Sequence, residues 1–363
     1  MIGKILTVVG ARPQFIKAAP VSRAFGIHDG LEELMVHTGQ HFDASMSGIF
    51  FDELGIPAPG YNLDINGGGH GEMTGRMLEA LEKIMLSEKP DMVLVYGDTN
   101  STLATALAAS KLLIPLAHVE AGLRSFNRSM PEEVNRVLTD HVSDLLFCPT
   151  SSAVSNLASE GIDKGVYNVG DVMFDAARYA FQEIGKKPGL LETLGLTPGR
   201  YAVATLHRAE NADYDEILRQ LLANLEKVSE AYQVPVVFPV HPRTRSRIEE
   251  LELTLPGCIR MIDPVGFFDF LLLEQNALLV LTDSGGVQEE CCILQVPCIT
   301  LRDDTERPET LEAGGNLLVG RTTKDLVIHV KEMLNRPRNW INPLGDGEVA
   351  SHMIDTLLEL NTK

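Results

Sequence analysis

The sequence predicts an α/β protein of two domains, each built on a parallel β-sheet. Short apolar runs alternate with amphipathic helical stretches in the first half, and the alternation restarts near residue 200. Continuous apolar runs of this kind are typical of strands that helices cover on both faces. The length of 363 residues also suits two domains. We predict one domain at residues 1–172, with a C-terminal helix at 345–363 packing back on it, and another at 173–344.

The individual elements follow from these apolar runs and from the helical spacing between them. The strands predicted for the first domain are Lys4–Val9, 34–37, Met92–Tyr96, 115–119 and Leu145–Cys148. Those predicted for the second are 200–206, 235–240, Ile259–Ile262, 278–281 and 298–301. Helices are expected from Pro13 to Phe25, over 101–113 and over Val349–Leu360. The glycine-rich residues 67–71 predict a mobile loop.

The composition limits the classes of partner. Lys and Arg total 31 against 50 Asp and Glu, which gives a net charge of −19. Nucleic acids and anionic membranes attract basic surfaces, so we expect neither as a partner. No apolar stretch reaches the roughly 18–20 residues of a membrane span, and no signal peptide is visible. We therefore expect a cytoplasmic protein whose five cysteines are reduced thiols.

Ligands of open α/β sheets bind beyond the carboxyl ends of the strands, so the residues there are the informative ones. After the first strand, Gly10 permits a sharp turn and Pro13 suits the start of a helix. Arg12 and Lys17 would then stand beside a helix N-terminus, at the mouth of a cleft that we expect between the two sheets. An anion is stabilised at such a position. An ordinary strand–helix turn with surface charges explains the motif equally well.

Three carboxylates follow strands of the first domain. Asp98 comes after Met92–Tyr96, and it suits either the N-cap of the next helix or acid–base chemistry. Glu120 follows a buried strand, where a carboxylate is costly unless it is paired or functional. Glu132 lies in the first turn of a helix that begins at Pro131, which also suits the helix dipole. All three are expected near one rim of the sheet.

The second domain carries the strongest local signal of the sequence. Ser284, Gly285 and Gly286 follow a strand and open a helix, so their backbone N–H groups can bind a phosphate. Glu290 lies further along that helix, where it could accept both hydroxyls of a ribose. His207 follows the first strand of this domain. The cations that follow the next strand are Arg302 and Arg307.

Several chemistries are not indicated by the motifs. The sequence has no P-loop, no zinc-ligand spacing and no nucleophile elbow around Ser284. The glycines at 67–71 lack the spacing of a dinucleotide fingerprint. We expect neither a metal nor a nicotinamide cofactor.

Taken in order, the strings along the chain resemble the non-hydrolysing UDP-N-acetylglucosamine 2-epimerases. They are GARPQFIK, HTGQHFD, VYGDTNSTLA, HVEAGLRS, PEEVNR, NVGD, TLHRAEN, HPRT, TDSGGVQEE, RDDTERPE and NPLGDG. The resemblance implies a GT-B fold, with two Rossmann-like domains and a cleft between them. It also implies a bacterial, cytoplasmic homodimer that binds a UDP-sugar. The implied reaction eliminates UDP to give a 2-acetamidoglucal and adds UDP back with inversion at C2.

The resemblance also implies roles for residues already noted. Asp98, Glu120 and Glu132 match carboxylates that act as acid–base or oxocarbenium-stabilising groups, and His207 matches the histidine near the leaving diphosphate. The implied substrate-binding residues are Arg12, Lys17, Phe270, Ser284, Gly285, Gly286, Glu290 and Arg307. Phe270 matches the position that packs beside uracil.

Two departures from the residues of the family leave the identity of the sugar substrate undecided. Val265 stands where several UDP-N-acetylglucosamine 2-epimerases carry Gln, and residues 67–74 (GGGHGEMT) differ from the string at the regulatory site of substrate-activated members. That segment is more similar to the branch acting on UDP-2,3-diacetamido-2,3-dideoxy-glucuronic acid, which supplies O-antigen or capsule. A GT-B glycosyltransferase and a non-catalytic UDP-sugar-binding protein are the alternatives. A non-catalytic binding protein would be expected to lose some of the four catalytic candidates. This sequence keeps all of them: Asp98, Glu120, Glu132 and His207.

Overall fold

The computed structural model describes residues 2–40, 54–184 and 189–360. The chain divides into two compact units. The N-terminal unit comprises residues 1–179 with 344–363, and the C-terminal unit comprises residues 180–343. The division lies inside the helix Val172–Ile184, at whose first residue the sequence places the domain change.

The N-terminal unit is a seven-stranded parallel sheet with helices between its strands. The strands are β1 (Lys4–Val9), β2 (Glu32–His37), β3 (Tyr61–Asn62), β4 (Met92–Tyr96), β5 (Leu116–Val119), β6 (Leu145–Cys148) and β7 (Val166–Asn168). The helices are α1 (Arg12–Phe25), α2 (His70–Glu88), α3 (Asn100–Lys111), α4 (Pro131–Val142), α5 (Ser151–Ser159) and α6 (Val172–Ile184). The strand order is β3-β2-β1-β4-β5-β6-β7.

The C-terminal unit repeats this plan with a six-stranded parallel sheet. Its strands are β8 (Ala202–Thr205), β9 (Val236–Pro239), β10 (Ile259–Ile262), β11 (Val280–Thr282), β12 (Cys298–Thr300) and β13 (Asn316–Leu318). Its helices are α7 (Leu190–Thr193), α8 (Ala209–Ala212), α9 (Asp215–Tyr232), α10 (Pro242–Glu250), α11 (Phe267–Gln275), α12 (Gly285–Leu294), α13 (Pro308–Glu312) and α14 (Leu326–Leu334). The strand order is β10-β9-β8-β11-β12-β13.

Both sheets have the Rossmann arrangement, in which the strand order reverses beside the first strand. The reversal lies between β1 and β4 in the N-terminal unit and between β8 and β11 in the C-terminal unit. Connections on opposite sides of such a point leave the sheet in opposite directions and open a crevice at the carboxyl ends of the strands. The loops after β1, β4, β8 and β11 are therefore where each unit is built to bind a ligand.

The predicted two-domain α/β fold is confirmed, and the apolar runs explain its core. The central strands β4 and β5 are buried along their whole length, as the continuous apolar runs predict. The short strands β3, β7 and β13 were not predicted, because a run of two or three partly exposed residues carries little pattern. None of the described helices is long and apolar enough to cross a membrane.

The C-terminal helix α15 (Val349–Leu360) packs against α1 in the N-terminal unit. Its first turn is held by Asp175 of α6, whose carboxylate accepts from the N–H groups of Val349 at 3.0 Å and Ala350 at 2.8 Å. The apolar face of α15, with Met353 and Leu357, is buried. A distant carboxylate therefore takes the place of a local N-cap.

The expectation of a mobile loop over the glycines near residue 70 was wrong in part. Helix α2 begins at His70, so the glycines at 67–69 precede its first turn. Arg76 holds the segment before the helix, because its Nη2 donates to the carbonyls of Asn66 at 2.9 Å and Gly67 at 2.8 Å. The helical spacing of residues 73–85, with Met77 and Leu81 buried, outweighs the glycines that the local sequence emphasises.

Candidate functional site

In the N-terminal unit, the loop after β1 lies close to the loop after β4. A Cβ added at Gly10 would lie 2.1 Å from Thr38 Oγ1 and 2.2 Å from Ser101 Oγ, so only glycine fits. The buried Gln14 accepts from the N–H of Gly10 at 2.7 Å and donates to the carbonyl of Tyr96 at 2.8 Å. Gln14 thus joins the ends of the two strands beside the sheet reversal, a role that its sequence position did not reveal.

Arg12 and Lys17 both lie on α1, but their positions differ. Arg12 is the first residue of the helix and is partly exposed, as an anion-binding residue should be. Lys17 is buried, as are all the residues from 14 to 22. Its Nζ lies 2.6 Å from Glu120 Oε1. The expectation that Lys17 stands at the mouth of a cleft stays a prediction, and the structure adds that its charge is directed at a carboxylate of its own unit.

Glu120 occupies an unusual backbone position directly after β5. Its φ of 74° lies in the left-handed region, which costs a residue with a side chain about 1–3 kcal/mol. Its N–H donates to the carbonyl of Phe147 at 3.0 Å. A Cβ added at Gly97 would lie 3.3 Å from Glu120 Oε2, so the carboxylate sits against the turn after β4. Strain of this kind is typical of functional sites, where surrounding structure holds a side chain in place.

Asp98 does not serve as a helix cap. Thr99 is the N-cap of α3, and its hydroxyl accepts from the N–H of Thr102. The Asp98 carboxylate instead forms an ion pair with the buried Arg136 of α4, in which Oδ2 accepts from both Nη2 and Nε. Asn135 also donates to the carbonyl of Asp98 at 2.9 Å. The capping alternative for Asp98 is therefore excluded, and the side chain keeps 30% of its surface exposed.

Glu132 and Glu133 begin α4 but differ in surroundings. Glu132 is partly exposed, whereas Glu133 is buried. Glu133 accepts from the N–H of Ser125 at 3.0 Å and of Phe126 at 2.9 Å, and it pairs with Arg136. Burial by itself would raise the pKa of Glu133, but these donors and the Arg136 charge hold the pKa below its usual value. Glu133 is thus a structural anion that the sequence analysis did not single out.

A buried polar network lies behind the Gly97–Asp98 turn. His118 of β5 contacts Asp140 Oδ1 at 2.7 Å through Nδ1 and the carbonyl of Gly97 at 2.8 Å through Nε2. Arg124 donates to Asp140 Oδ2 at 2.7 Å and forms a two-point ion pair with Glu160. Burial would raise the pKa of Asp140, but its partners hold the pKa below the usual range. Several polar residues of the HVEAGLR string therefore support the turn from inside.

In the C-terminal unit, the loop after β8 is held by the first residue after β11. The fully buried Asp283 accepts from the N–H of His207 at 2.9 Å, the N–H of Arg208 at 3.1 Å and Asn211 Nδ2 at 3.1 Å. His207 Nδ1 lies 2.8 Å from Asp283 Oδ1. Burial would raise the pKa of Asp283, but His207 and these donors hold it below the usual value.

This His–Asp contact orients the imidazole. Because Nδ1 faces a carboxylate, it carries a proton, and Nε2 is the ring nitrogen left for a ligand. The side chain of His207 is 38% exposed, while that of Asp283 is fully covered. Such an arrangement suits a histidine that stabilises or protonates a leaving group. Asp283 was not among the candidate residues predicted from the sequence, although its position directly after a strand was the available signal.

The helix start predicted to bind phosphate forms as expected, because α12 begins directly after Ser284. The Ser284 hydroxyl does not cap the helix, and no acidic side chain lies in its first turn. A Cβ at Gly285 would lie 2.4 Å from Glu306 Oε1, whereas a Cβ at Gly286 would meet nothing within 4 Å. Gly285 is therefore required by packing, and Gly286 leaves room next to N–H groups that can bind an anion.

The late arginines are buried, in contrast to the expectation of cations directed at a ligand. Arg302 is fully covered and pairs with Glu306 Oε2 at 2.9 Å. Arg307 is 3% exposed and pairs with the buried Glu289 of α12. The partner of Arg302 belongs to the same loop after β12, so this pair stabilises the loop itself. Arg307 fixes the loop against α12 through Glu289.

Glu290 and Phe270 are nearly buried. Glu290 lies on α12 with 5% of its surface exposed. Phe270 of α11 is 9% exposed and belongs to an apolar cluster with Val287, against which Val265 packs. Only a small part of Phe270 is therefore exposed.

Comparison with known proteins agrees with this architecture. A family model described as UDP-N-acetylglucosamine 2-epimerase matches residues 23–358. UDP-2,3-diacetamido-2,3-dideoxy-D-glucuronate 2-epimerase of Pseudomonas aeruginosa is 51% identical over 361 residues, covering 98% of this chain and all of the relative. UDP-N-acetylglucosamine 2-epimerase of Methanocaldococcus jannaschii is 48% identical over 361 residues, 98% of each chain. The crystal structure of a UDP-GlcNAc 2-epimerase from M. jannaschii, in complex with UDP-GlcNAc and UDP, has a TM-score of 0.93 at 48% identity, covering 98% of this chain and 99% of that one.

The fold and these matches define the class: the protein is an isomerase of nucleotide sugars with a two-domain α/β, GT-B-like fold. More particularly, the chain belongs to the UDP-N-acetylglucosamine 2-epimerase family, as the sequence motifs predict. The alternative of a GT-B glycosyltransferase is not favoured, because the matching relatives are epimerases.

Proposed function

We propose that this protein interconverts UDP-N-acetylglucosamine and UDP-N-acetylmannosamine by elimination and re-addition of UDP. The observation that carries the proposal is the grouping of three carboxylates at the carboxyl edge of the N-terminal sheet. Asp98 follows β4, Glu120 follows β5, and Glu132 begins the helix after β5. The similarity to an epimerase that is crystallised with UDP-GlcNAc supports this choice of substrate.

The reaction sets requirements that these groups meet. In elimination, the bond between C1 and the UDP oxygen breaks and a base removes the C2 proton, which gives a 2-acetamidoglucal and UDP. Re-addition forms that bond again and returns a proton to the opposite face of C2. Positive charge at C1 is stabilised by nearby carboxylates, and negative charge on UDP by cations and N–H groups. No hydride moves, so the proposed reaction needs no nicotinamide.

We assign Asp98, Glu120 and Glu132 to acid–base work and to stabilising the charge at C1. Lys17 acts through Glu120, because the 2.6 Å contact between Nζ and Oε1 orients that carboxylate. His207 assists the departing diphosphate through Nε2. The residues proposed to bind the UDP moiety are Arg12, Phe270, Ser284, Gly285, Gly286, Glu290 and Arg307. Arg307 would do so mainly by holding the loop after β12, since it is paired with Glu289.

A second substrate is favoured by a specific observation. The P. aeruginosa relative that is named for the diacetamido-glucuronate substrate is 51% identical to this chain, and residues 67–74 resemble that branch. His70 of this segment contacts Asn100, whose Oδ1 also accepts from Asn135. We propose that this segment influences which sugar substituents at C3 and C6 are accepted. We also propose a cytoplasmic homodimer that supplies a precursor of cell-surface polysaccharide such as O-antigen.

The purified protein is incubated in D2O without an acceptor. One sample contains UDP-N-acetylglucosamine and the other contains UDP-2,3-diacetamido-2,3-dideoxy-glucuronic acid. Deuterium at C2 together with the manno epimer supports the proposal, and comparing the two sugars identifies the preferred substrate. Absence of exchange with both sugars contradicts it. Transfer of sugar to an added acceptor without C2 exchange would instead support a glycosyltransferase.

Glu120→Gln is the decisive variant. We expect a loss of C2 exchange of about 10³-fold or more, in the range of removing an essential acid–base group, while UDP still binds. The matched control is Glu88→Gln, which removes a glutamate that is paired with Lys4 elsewhere in the same unit. The control should exchange at the wild-type rate. Exchange by Glu120→Gln within a few-fold of wild type would remove Glu120 from the mechanism.

A further inference from the structure

We infer that Arg136 is a positioning residue for Asp98, anchored in turn by Glu133. The inference rests on the proposed role of Asp98 and extends it to side chains that the sequence motifs did not assign. All three residues lie in the N-terminal unit, and Glu133 and Arg136 are on one helix, α4.

Arg136 directly contacts the carboxylate of Asp98. Arg136 is 3% exposed, and two of its guanidinium nitrogens, Nη2 and Nε, contact the same carboxylate oxygen, Oδ2. Asn135 donates to the backbone carbonyl of Asp98 at 2.9 Å. Helix α4 therefore holds both the side chain and the backbone of Asp98. Oδ2 is engaged by Arg136, while 30% of the Asp98 side chain stays exposed.

Arg136 is itself held in place by Glu133. Its Nη1 pairs with Glu133 Oε2, and Glu133 is 2% exposed. Glu133 also accepts from the N–H and the hydroxyl of Ser125 and from the N–H of Phe126. The guanidinium is thus fixed along both edges, one towards Glu133 and one towards Asp98. A planar group with several donors can do this, whereas the single ammonium of lysine cannot.

The contacts of Arg136 have a consequence for the proposed reaction. A carboxylate oxygen that accepts from two nitrogens of a buried guanidinium is held in a single orientation. Glu132 lies one turn before Arg136 on the same helix, so α4 carries one catalytic candidate and orients another. Loss of Arg136 should therefore slow the chemical step more than it weakens substrate binding.

The test is a double-mutant cycle of Arg136→Lys and Asp98→Asn in the full-length protein. We expect Arg136→Lys to lower kcat by about 10–100-fold, the usual cost of misplacing a catalytic group, with KM for the UDP-sugar changed by less than about threefold. In the Asp98→Asn background, Arg136→Lys should cost about twofold or less, because effects of groups that act as a unit are not additive. Additive losses would overturn the inference.

The matched control is Arg23→Lys, the same change at a partly buried arginine of α1 that lies 3.7 Å over the Tyr179 ring. It should keep wild-type kcat, and any effect should be additive with Asp98→Asn. If Arg136→Lys does not fold, Glu133→Gln repeats the test, and its kcat loss must likewise disappear in the Asp98→Asn background. An inactive wild type contradicts the proposed function, whereas an active wild type with an additive cycle contradicts only the positioning role.

Discussion

Replacement of Asp283 by Asn tests how the histidine loop of the C-terminal unit is held. Asp283 is fully buried, and its two oxygens accept from the N–H groups of His207 and Arg208, from Asn211 Nδ2 and from His207 Nδ1. Asn keeps the shape but has one accepting oxygen and an NH2 group that faces donors. If the Asn oxygen takes the place of Oδ2, which accepts from three of the four donors, His207 Nδ1 is the donor that loses its acceptor.

The magnitude follows from the cost of a buried donor without an acceptor, about 1–3 kcal/mol. Loss of this one acceptor therefore lowers the free energy of unfolding by about 1–3 kcal/mol. The same change leaves His207 without its orienting carboxylate, so we also expect kcat to fall by about 10-fold or more.

The assay uses a probe that the protein already contains. Trp340 is the single tryptophan of the chain, lies in the C-terminal unit and is 7% exposed. Its fluorescence during urea denaturation therefore reports on the unfolding of this unit. The matched control is Asp263→Asn, because Asp263 is 91% exposed and paired with Arg245. Exposed pairs of this kind contribute about 0–1 kcal/mol. If Asp283→Asn unfolds within about 1 kcal/mol of wild type, the contact of His207 Nδ1 with Asp283 does not stabilise the loop as described.

Three further predictions concern pH and glycines. The folded pKa of Asp283 lies below its ordinary value of 3.8, so its stabilisation is present above about pH 4 and is lost as pH falls through the folded pKa. The stability gap between wild type and Asp283→Asn should accordingly narrow from pH 7 to pH 3 in the Trp340 assay, and a constant gap would contradict this. Gly10→Ala should destabilise the N-terminal unit by about 1–3 kcal/mol, because its Cβ would overlap two hydroxyl oxygens, and thermal circular dichroism measures this loss. Gly75→Ala, in the exposed middle of α2 with nothing within 4 Å of the new Cβ, should raise stability by about 0.5–1 kcal/mol in the same measurement. Equal melting temperatures for these two variants would refute the steric argument.

The apolar runs predicted most strands of both sheets within a few residues, because burial on both faces leaves a continuous signal in the sequence. The same reasoning placed Asp98, Glu120 and Glu132 beyond strand ends, where the structure has them. The start of α12 at Gly285 followed from the serine and glycines alone. These features are local, since they depend on residues that are close together along the chain.

Contacts between distant residues were decided only by the tertiary structure. Lys17 and Glu120 are about a hundred residues apart along the chain, yet they form an ion pair inside the unit. The sequence therefore indicated two charged groups of the site but not that one neutralises the other. The inward turn of Arg307 towards Glu289 has the same origin. A charge pattern does not state which side of a loop faces the core, and that choice depends on partners brought by other strands.

The sequence by itself determined the α/β class, the two-domain plan and the family, because these follow from apolar periodicity and from motifs of fixed order. The tertiary structure decided which polar groups face a ligand and which hold the framework. Asp98 keeps an exposed edge while Arg136 is covered, although the motifs present both as charged residues. Burial and pairing decide such roles, and both arise from packing between elements that are far apart in the sequence.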